Sequence, residues 1–141
     1  AATLSNLPAI ADDSGLEVDY LQGEPGIYSA RFAGERAGDS ANKEKLLKLM
    51  TDVPAQQRTA RYQTVIVYMR HGNDPTPIIC QGTWEGRIAT ESRGDQGFGY
   101  DPIFFVTETN CHAAELDKVT KNRLSHRGKA IANLLMQLQA P

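Results

Sequence analysis

Thr59-Ala60-Arg61-Tyr62-Gln63-Thr64-Val65-Ile66-Val67-Tyr68-Met69-Arg70-His71 is the stretch on which the fold turns. Its β-branched and aromatic residues alternate with polar ones around the run Val65 to Met69, the pattern of a long, half-buried strand. Asp74-Pro75-Thr76-Pro77 is turn chemistry. Ile78 to Ala89 then reads as the antiparallel partner, with Gly82 and Gly86 as expected bulges.

Working outward from this hairpin, Ala9-Ile10-Ala11 reads as a short buried strand that runs into Asp12-Asp13-Ser14-Gly15, and Leu16 to Tyr20 alternates as a second strand. Ala1 to Asn6 reads as the tail of a helix stopped by Pro8, and Gly23-Glu24-Pro25-Gly26 as a turn. Asp39 or Ser40 can cap a helix through Met50, with Leu46, Leu47, Leu49 and Met50 as its apolar face. Ile103 to Val106 is a further apolar strand, and Ala113 to Leu116 one helical turn. Ser125 can cap a last helix, with Ile131, Leu134, Leu135 and Leu138 on one face. Strands and helices mix irregularly about one long hairpin, which predicts a single mixed-sheet α/β or α+β domain over residues 1–141 rather than a pure doubly wound one.

The 141 residues are 40% hydrophobic and 23% charged, ample for one core without staples. No run approaches the length of a membrane span, and no basic segment precedes an apolar one as in a signal peptide. Cys80 and Cys111 form no zinc spacing and read as free thiols of a reducing compartment, so the expected location is the cytoplasm. A net charge of −2 argues against a general nucleic-acid binder. That balance hides a segregation. Ala1 to Ala30 holds five acids and no Lys or Arg, whereas Lys118 to Pro141 holds five bases and no acid. Two solvated faces would explain it; so would a cation-binding and an anion-binding end meeting across a cleft.

Three stretches carry candidate chemistry. Asp12-Asp13-Ser14-Gly15 offers hard oxygen ligands for Mg²⁺ and donors for a phosphate, and is equally good Asx-turn chemistry. Gly94-Asp95-Gln96-Gly97-Phe98-Gly99-Tyr100-Asp101 can let backbone approach a ligand while Phe98 stacks on a nucleobase, or can be a loop whose aromatics return to the core. Lys121 with Ser125-His126-Arg127-Gly128 gathers cations at a helix start, an anion site or a capped helix with surface bases. Trp84 reads as core, and His71, Cys111 and His112 make no convincing metal set.

Taken together and in order, Leu7 to Leu16, Pro25 to Arg31, Gly97 to Phe104, Ala114-Glu115-Leu116, and Lys121 with Ser125 to Gly128 resemble the inosine triphosphate pyrophosphatase family. The resemblance implies an elongated α/β domain with a twisted mixed sheet flanked by helices, a central cleft between two lobes, and a homodimer. It implies hydrolysis of non-standard purine triphosphates (ITP, dITP, XTP) to the monophosphate and pyrophosphate, with Mg²⁺ as cofactor. By position Asp13 would be metal ligand and general base, with Asp12 beside it at the metal. Ser14 would contact the substrate, Phe98 would stack on the base, and Gly99, Tyr100 and Asp101 would shape its pocket. Lys121, His126 and Arg127 would bind the base edge or a phosphate. The family's Ser/Thr-Gly-Asn-x-x-Lys turn, and a helix Glu that joins the metal site, do not occur in these residues. The expectation is therefore a domain lacking its N-terminal strand and helix, with a weakened or inactive nucleotide-binding remnant as the alternative to an active enzyme.

Overall fold

A computed structural model describes residues 1–139. Its centre is a six-stranded sheet in the order β2-β1-β3-β4-β5-β6. The strands are β1 (Ala9–Val18), β2 (Pro25–Gly26), β3 (Thr59–Met69), β4 (Ile78–Ile88), β5 (Phe104–Val106) and β6 (Cys111–His112). The helices are α1 (Ala2–Ser5), α2 (Asp39–Leu49), α3 (Lys118–Leu124) and α4 (His126–Gln139). The result is the expected mixture of α and β, and every strand pairing among the described residues is antiparallel.

The β3–β4 hairpin forms as its alternation requires, closed by Asp74, whose carboxylate accepts from the Arg70 and Thr76 backbone N–H groups. Two expectations fail beside it. Asp12 to Gly15 does not end a strand in a turn: β1 runs straight through, pairing with Ile66, Val65, Thr64 and Gln63. The β-branched edge of β3 is a long template, and the ladder it offers outweighs the local turn preference of Asp-Asp-Ser-Gly. Nor are Gly82 and Gly86 bulges, since the β3–β4 register is unbroken. Gly82 is needed for close packing, because a Cβ there would lie 2.0 Å from the His126 carbonyl oxygen of α4.

The inner face of the sheet carries Leu16 and Val18, Ala60, Tyr62, Thr64 and Ile66, then Cys80, Trp84 and Ile88, all buried. Leu46 and Met50 of the α2 segment, with Phe104 and Leu124, complete one core cluster; Ala130 and Leu134 of α4 close a second over Ile66 and Cys80. Each such aliphatic side chain contributes about 1.5–3 kcal/mol by leaving water. On α4 the expected apolar face divides. Leu134 is buried, while Ile131, Leu135 and Leu138 remain exposed, because the sheet surface is covered by the stripe of His126, Ala130 and Leu134. Ser125 caps α4 as expected by accepting from the Gly128 N–H. α2 begins instead at Gly38 with no side-chain cap, and Asp39 is turned to another use. α3, capped by Asp117, lies where the residues show no helical period.

Candidate active site

Between the inner sheet face, the 97–101 loop and the starts of α3 and α4 lies a cavity of about 870 Å³. Of the residues expected at a site, Ser14, Phe98, Gly99, Tyr100, Asp101, Lys121, His126 and Arg127 all line it. Asp12 and Asp13 do not, although Asp12 reaches Arg127.

The loop is fixed from three directions. The Asp101 carboxylate accepts from the Phe98 N–H at 2.8 Å and pairs with Lys121 Nζ at 2.5 Å. The Gly99 N–H donates to Asp39 Oδ2 at 2.7 Å, and Tyr100 Oη donates to the Ser29 carbonyl at 2.7 Å. Gly97, at φ 79°, must lack a side chain, since a Cβ would come within 2.1 Å of Asp101 Oδ2. This scaffold leaves the Phe98 ring 61% exposed, with Lys121 Nζ 4.9 Å and the Arg127 guanidinium 5.4 Å from its centroid. A hydrophobic ring held open under two cations is a platform for a flat, electron-rich ligand.

His126 sits behind this platform. Its ring stacks on Tyr62 at 4.7 Å and 9°, and Trp84 lies 6.4 Å away. Burial, reinforced by the Arg127 charge, pushes its pKa down to about 4. It is therefore neutral at physiological pH, with Nδ1 buried and unpartnered. Burial also pushes the Tyr62 hydroxyl well above its ordinary value, so Tyr62 faces Asp101 as a phenol.

At the β1 edge beside the cleft, strand alternation divides the two carboxylates. Asp12 shares the inner side with Ser14. Its Oδ1 accepts from the Ser14 and Thr64 hydroxyls at 3.0 Å each, and its Oδ2 from Arg127 Nε at 2.7 Å. Burial raises its pKa, but these bonds from Thr64, Ser14 and Arg127 outweigh that and hold it below the usual carboxylate range. The acidic first segment and the basic last one thus meet directly. Asp13 points to the outer side, exposed, and its carboxylate has no partner among the described residues. The β1 edge from Ala9 to Gly15 is also open among these residues, because β2 pairs only at Leu16 and Glu17.

No cluster of three or more His, Cys, Asp or Glu side chains forms among the described residues. Mg²⁺ needs only one or two protein carboxylates when phosphates and waters complete its shell. The free Asp13 carboxylate fits that modest share, whereas the oxygens of Asp12 are already engaged. Sequence reasoning missed Ser29, Asp39, Tyr62 and Thr64. Ser29 stood only within the Pro25 to Arg31 stretch and Asp39 only as a helix-cap candidate, while Tyr62 and Thr64 showed as alternate residues of β3.

The same fold recurs in solved structures. A HAM1 protein from Coxiella burnetii superposes with a TM-score of 0.90 at 47% identity, over 97% of this chain and 70% of that one. The Staphylococcus aureus Ham1 protein gives 0.88 at 45% over the same shares. The dITP/XTP pyrophosphatase of Vibrio parahaemolyticus is 64% identical over 140 residues, 99% of this chain and 70% of that protein. Its counterpart in Vibrio vulnificus is 65% identical over 139 residues, with the same shares. The family model described as the Ham1 family matches residues 1–137. The chain belongs to the Ham1 family.

Proposed function

We propose that this protein hydrolyses non-standard purine nucleoside triphosphates (ITP, dITP and XTP) to the monophosphate and pyrophosphate. The relatives named dITP/XTP pyrophosphatase support the substrate class. The observation that carries the reading is the Phe98 platform, an exposed ring beneath Lys121 and Arg127 in a cleft of nucleotide size.

In this reading the base stacks on Phe98. Lys121 is committed to Asp101, but Arg127 uses only Nε on Asp12, leaving both Nη groups to donate to a purine O6/N7 edge. A 6-amino group would meet those donors with its own, which disfavours adenine. The phosphates run over the open edge of β1, where they can meet the Ser14 hydroxyl from one side and Asp13 from the other. Asp13 takes the proton of a water whose oxygen bonds to the α-phosphorus as the bond to the bridging oxygen breaks, and pyrophosphate leaves. Mg²⁺, held on the protein's side by Asp13, would supply charge neutralisation at the phosphates.

In the same proposal the enzyme works in the cytoplasm as a homodimer. Free Cys80 and Cys111 support a reducing compartment. Among the described residues no helix is long and apolar enough to cross a membrane. The open outer sheet face, with Val65 and Ile79 exposed, supports the dimer.

Pyrophosphate release with ITP, XTP, GTP and ATP in millimolar Mg²⁺ tests the reading. ITP and XTP should be cleaved well above ATP. Equal rates on all four would remove the base selectivity. Binding of ITP without turnover would favour the remnant, a reading suggested by Asp13 alone, of the Asp12–Asp13 pair, being unengaged among the described residues.

A further inference from the structure

A second cavity, about 290 Å³, opens at the far end of the sheet and shares no lining residue with the first. Arg58, Arg87, Arg93, Glu91, Phe105 and His112 surround it. Strand register explains how they gather. Arg87 of β4 stands opposite Phe105 of β5, which stands opposite His112 of β6, so three neighbouring side chains share one side of the sheet. The Phe105 and His112 rings meet edge to face at 5.8 Å.

The charges here are unbalanced. Glu91, the one lining carboxylate, is taken by Arg93. Arg58 is 6% exposed, yet it pairs with no carboxylate among the described residues. Its Nε donates to the Ile88 carbonyl at 2.7 Å, Nη1 to the Met50 and Val53 carbonyls, and Nη2 to the Ala89 carbonyl at 2.8 Å. Neutral carbonyls satisfy its hydrogen bonds and leave its charge uncompensated, an arrangement that buried guanidinium groups seldom keep without an anion nearby. The Arg87 side chain makes no hydrogen bond or ion pair to any described residue. His112 Nδ1 lies 2.6 Å from the Pro102 carbonyl, which can only accept, so Nδ1 carries a proton and in the neutral ring Nε2 is the acceptor.

We propose that this cavity binds an oxyanion of the phosphate type, apart from the candidate active site. The Arg87 fork matches two phosphoryl oxygens, and the Arg58 charge lies behind them. Monohydrogen phosphate also keeps one P–OH, a donor that suits the free His112 nitrogen. The site needs no covalent step and stands independently of the pyrophosphatase reading.

Inorganic phosphate is the probe, titrated at constant ionic strength and followed by amide resonances of the full chain. The amides of Arg87 to Glu91 and of Phe105 should shift and saturate together. Arg87→Gln, which removes a half-buried guanidinium that makes no side-chain hydrogen bond or ion pair to the described residues, should weaken that response by about tenfold or more. It should leave the melting temperature and any response of Gly97 to Asp101 unchanged. Shifts in the first set that are absent, that fail to saturate, or that saturate equally in Arg87→Gln would overturn the proposal.

Discussion

The large cleft and the β1 edge beside it are built to different standards. In the cleft, bonds from Gly99 to Asp39, from Tyr100 to Ser29 and from Lys121 to Asp101 tie one short loop to three separate parts of the chain. At the β1 edge, the Asp13 carboxylate has no partner among the described residues, and the strand edge is open among them. The first arrangement holds one shape before any ligand arrives, which suits recognition. The second holds a reactive group with nothing to restrain it, which suits proton transfer to a ligand that supplies the missing contacts. Substitution of Asp13 at the β1 edge should therefore change rate without changing the fold, and substitution of Phe98 in the cleft should change affinity.

The largest expected effect is on the rate. Asp13→Asn should lower kcat for ITP by about 10³-fold, the scale of a lost general base, with the melting temperature unchanged. Steady-state pyrophosphate release beside thermal unfolding checks both halves. A variant with near-normal kcat would move the chemistry away from this strand edge.

Next comes His126, which belongs to the ordered cleft and reports on its burial. Its pKa is about 4 in the folded protein against an ordinary 6.5. As pH falls from 6.5 towards 4, the unfolded chain binds a proton that the native state refuses. Stability is complete above pH 6.5 and is lost by up to about 3 kcal/mol across that window. Urea unfolding at pH 7 and pH 4.5 measures the loss, and His126→Gln should abolish this part of it. Asp19, held near 2 by hydrogen bonds from Arg61 and Thr59, acts only at lower pH and leaves the window clear. Phe98→Ala should raise KM for ITP by about 10-fold or more, one stacked base being worth about 1–3 kcal/mol. Because the ring is largely exposed, unfolding should not register the change.

Much of this contrast was legible in the sequence, and its limits follow distance along the chain. The β3–β4 hairpin, the Ser125 cap and the glycine loop are written in local pattern and local chemistry. α3 was not legible because it buries only Leu124 and leaves Val119 exposed, so it has no apolar period to read. The strand character of Asp12 to Gly15 depends on a template some 50 residues away. The motif resemblance collected most of the cleft's residues. It could not tell that Asp39, displaced from capping duty, would hold Gly99, or that Tyr62 would floor the pocket under His126.

The division between Asp12 and Asp13 offers the finest test. Adjacent and chemically identical, they face opposite sides of β1, and only Asp12 is tied to Arg127. Asp12→Asn keeps the shape but removes the charge that holds the guanidinium beside Phe98. The pair is half exposed, so its loss should cost about 1 kcal/mol. KM for ITP should rise by about 3- to 10-fold with kcat nearly unchanged, opposite in kind to Asp13→Asn. Combined with Arg127→Gln, Asp12→Asn should add almost nothing, because the arginine it positions is gone. Additive effects would mean that Asp12 acts on the substrate directly. An Asp12→Asn variant as slow as Asp13→Asn would make the two carboxylates one catalytic unit.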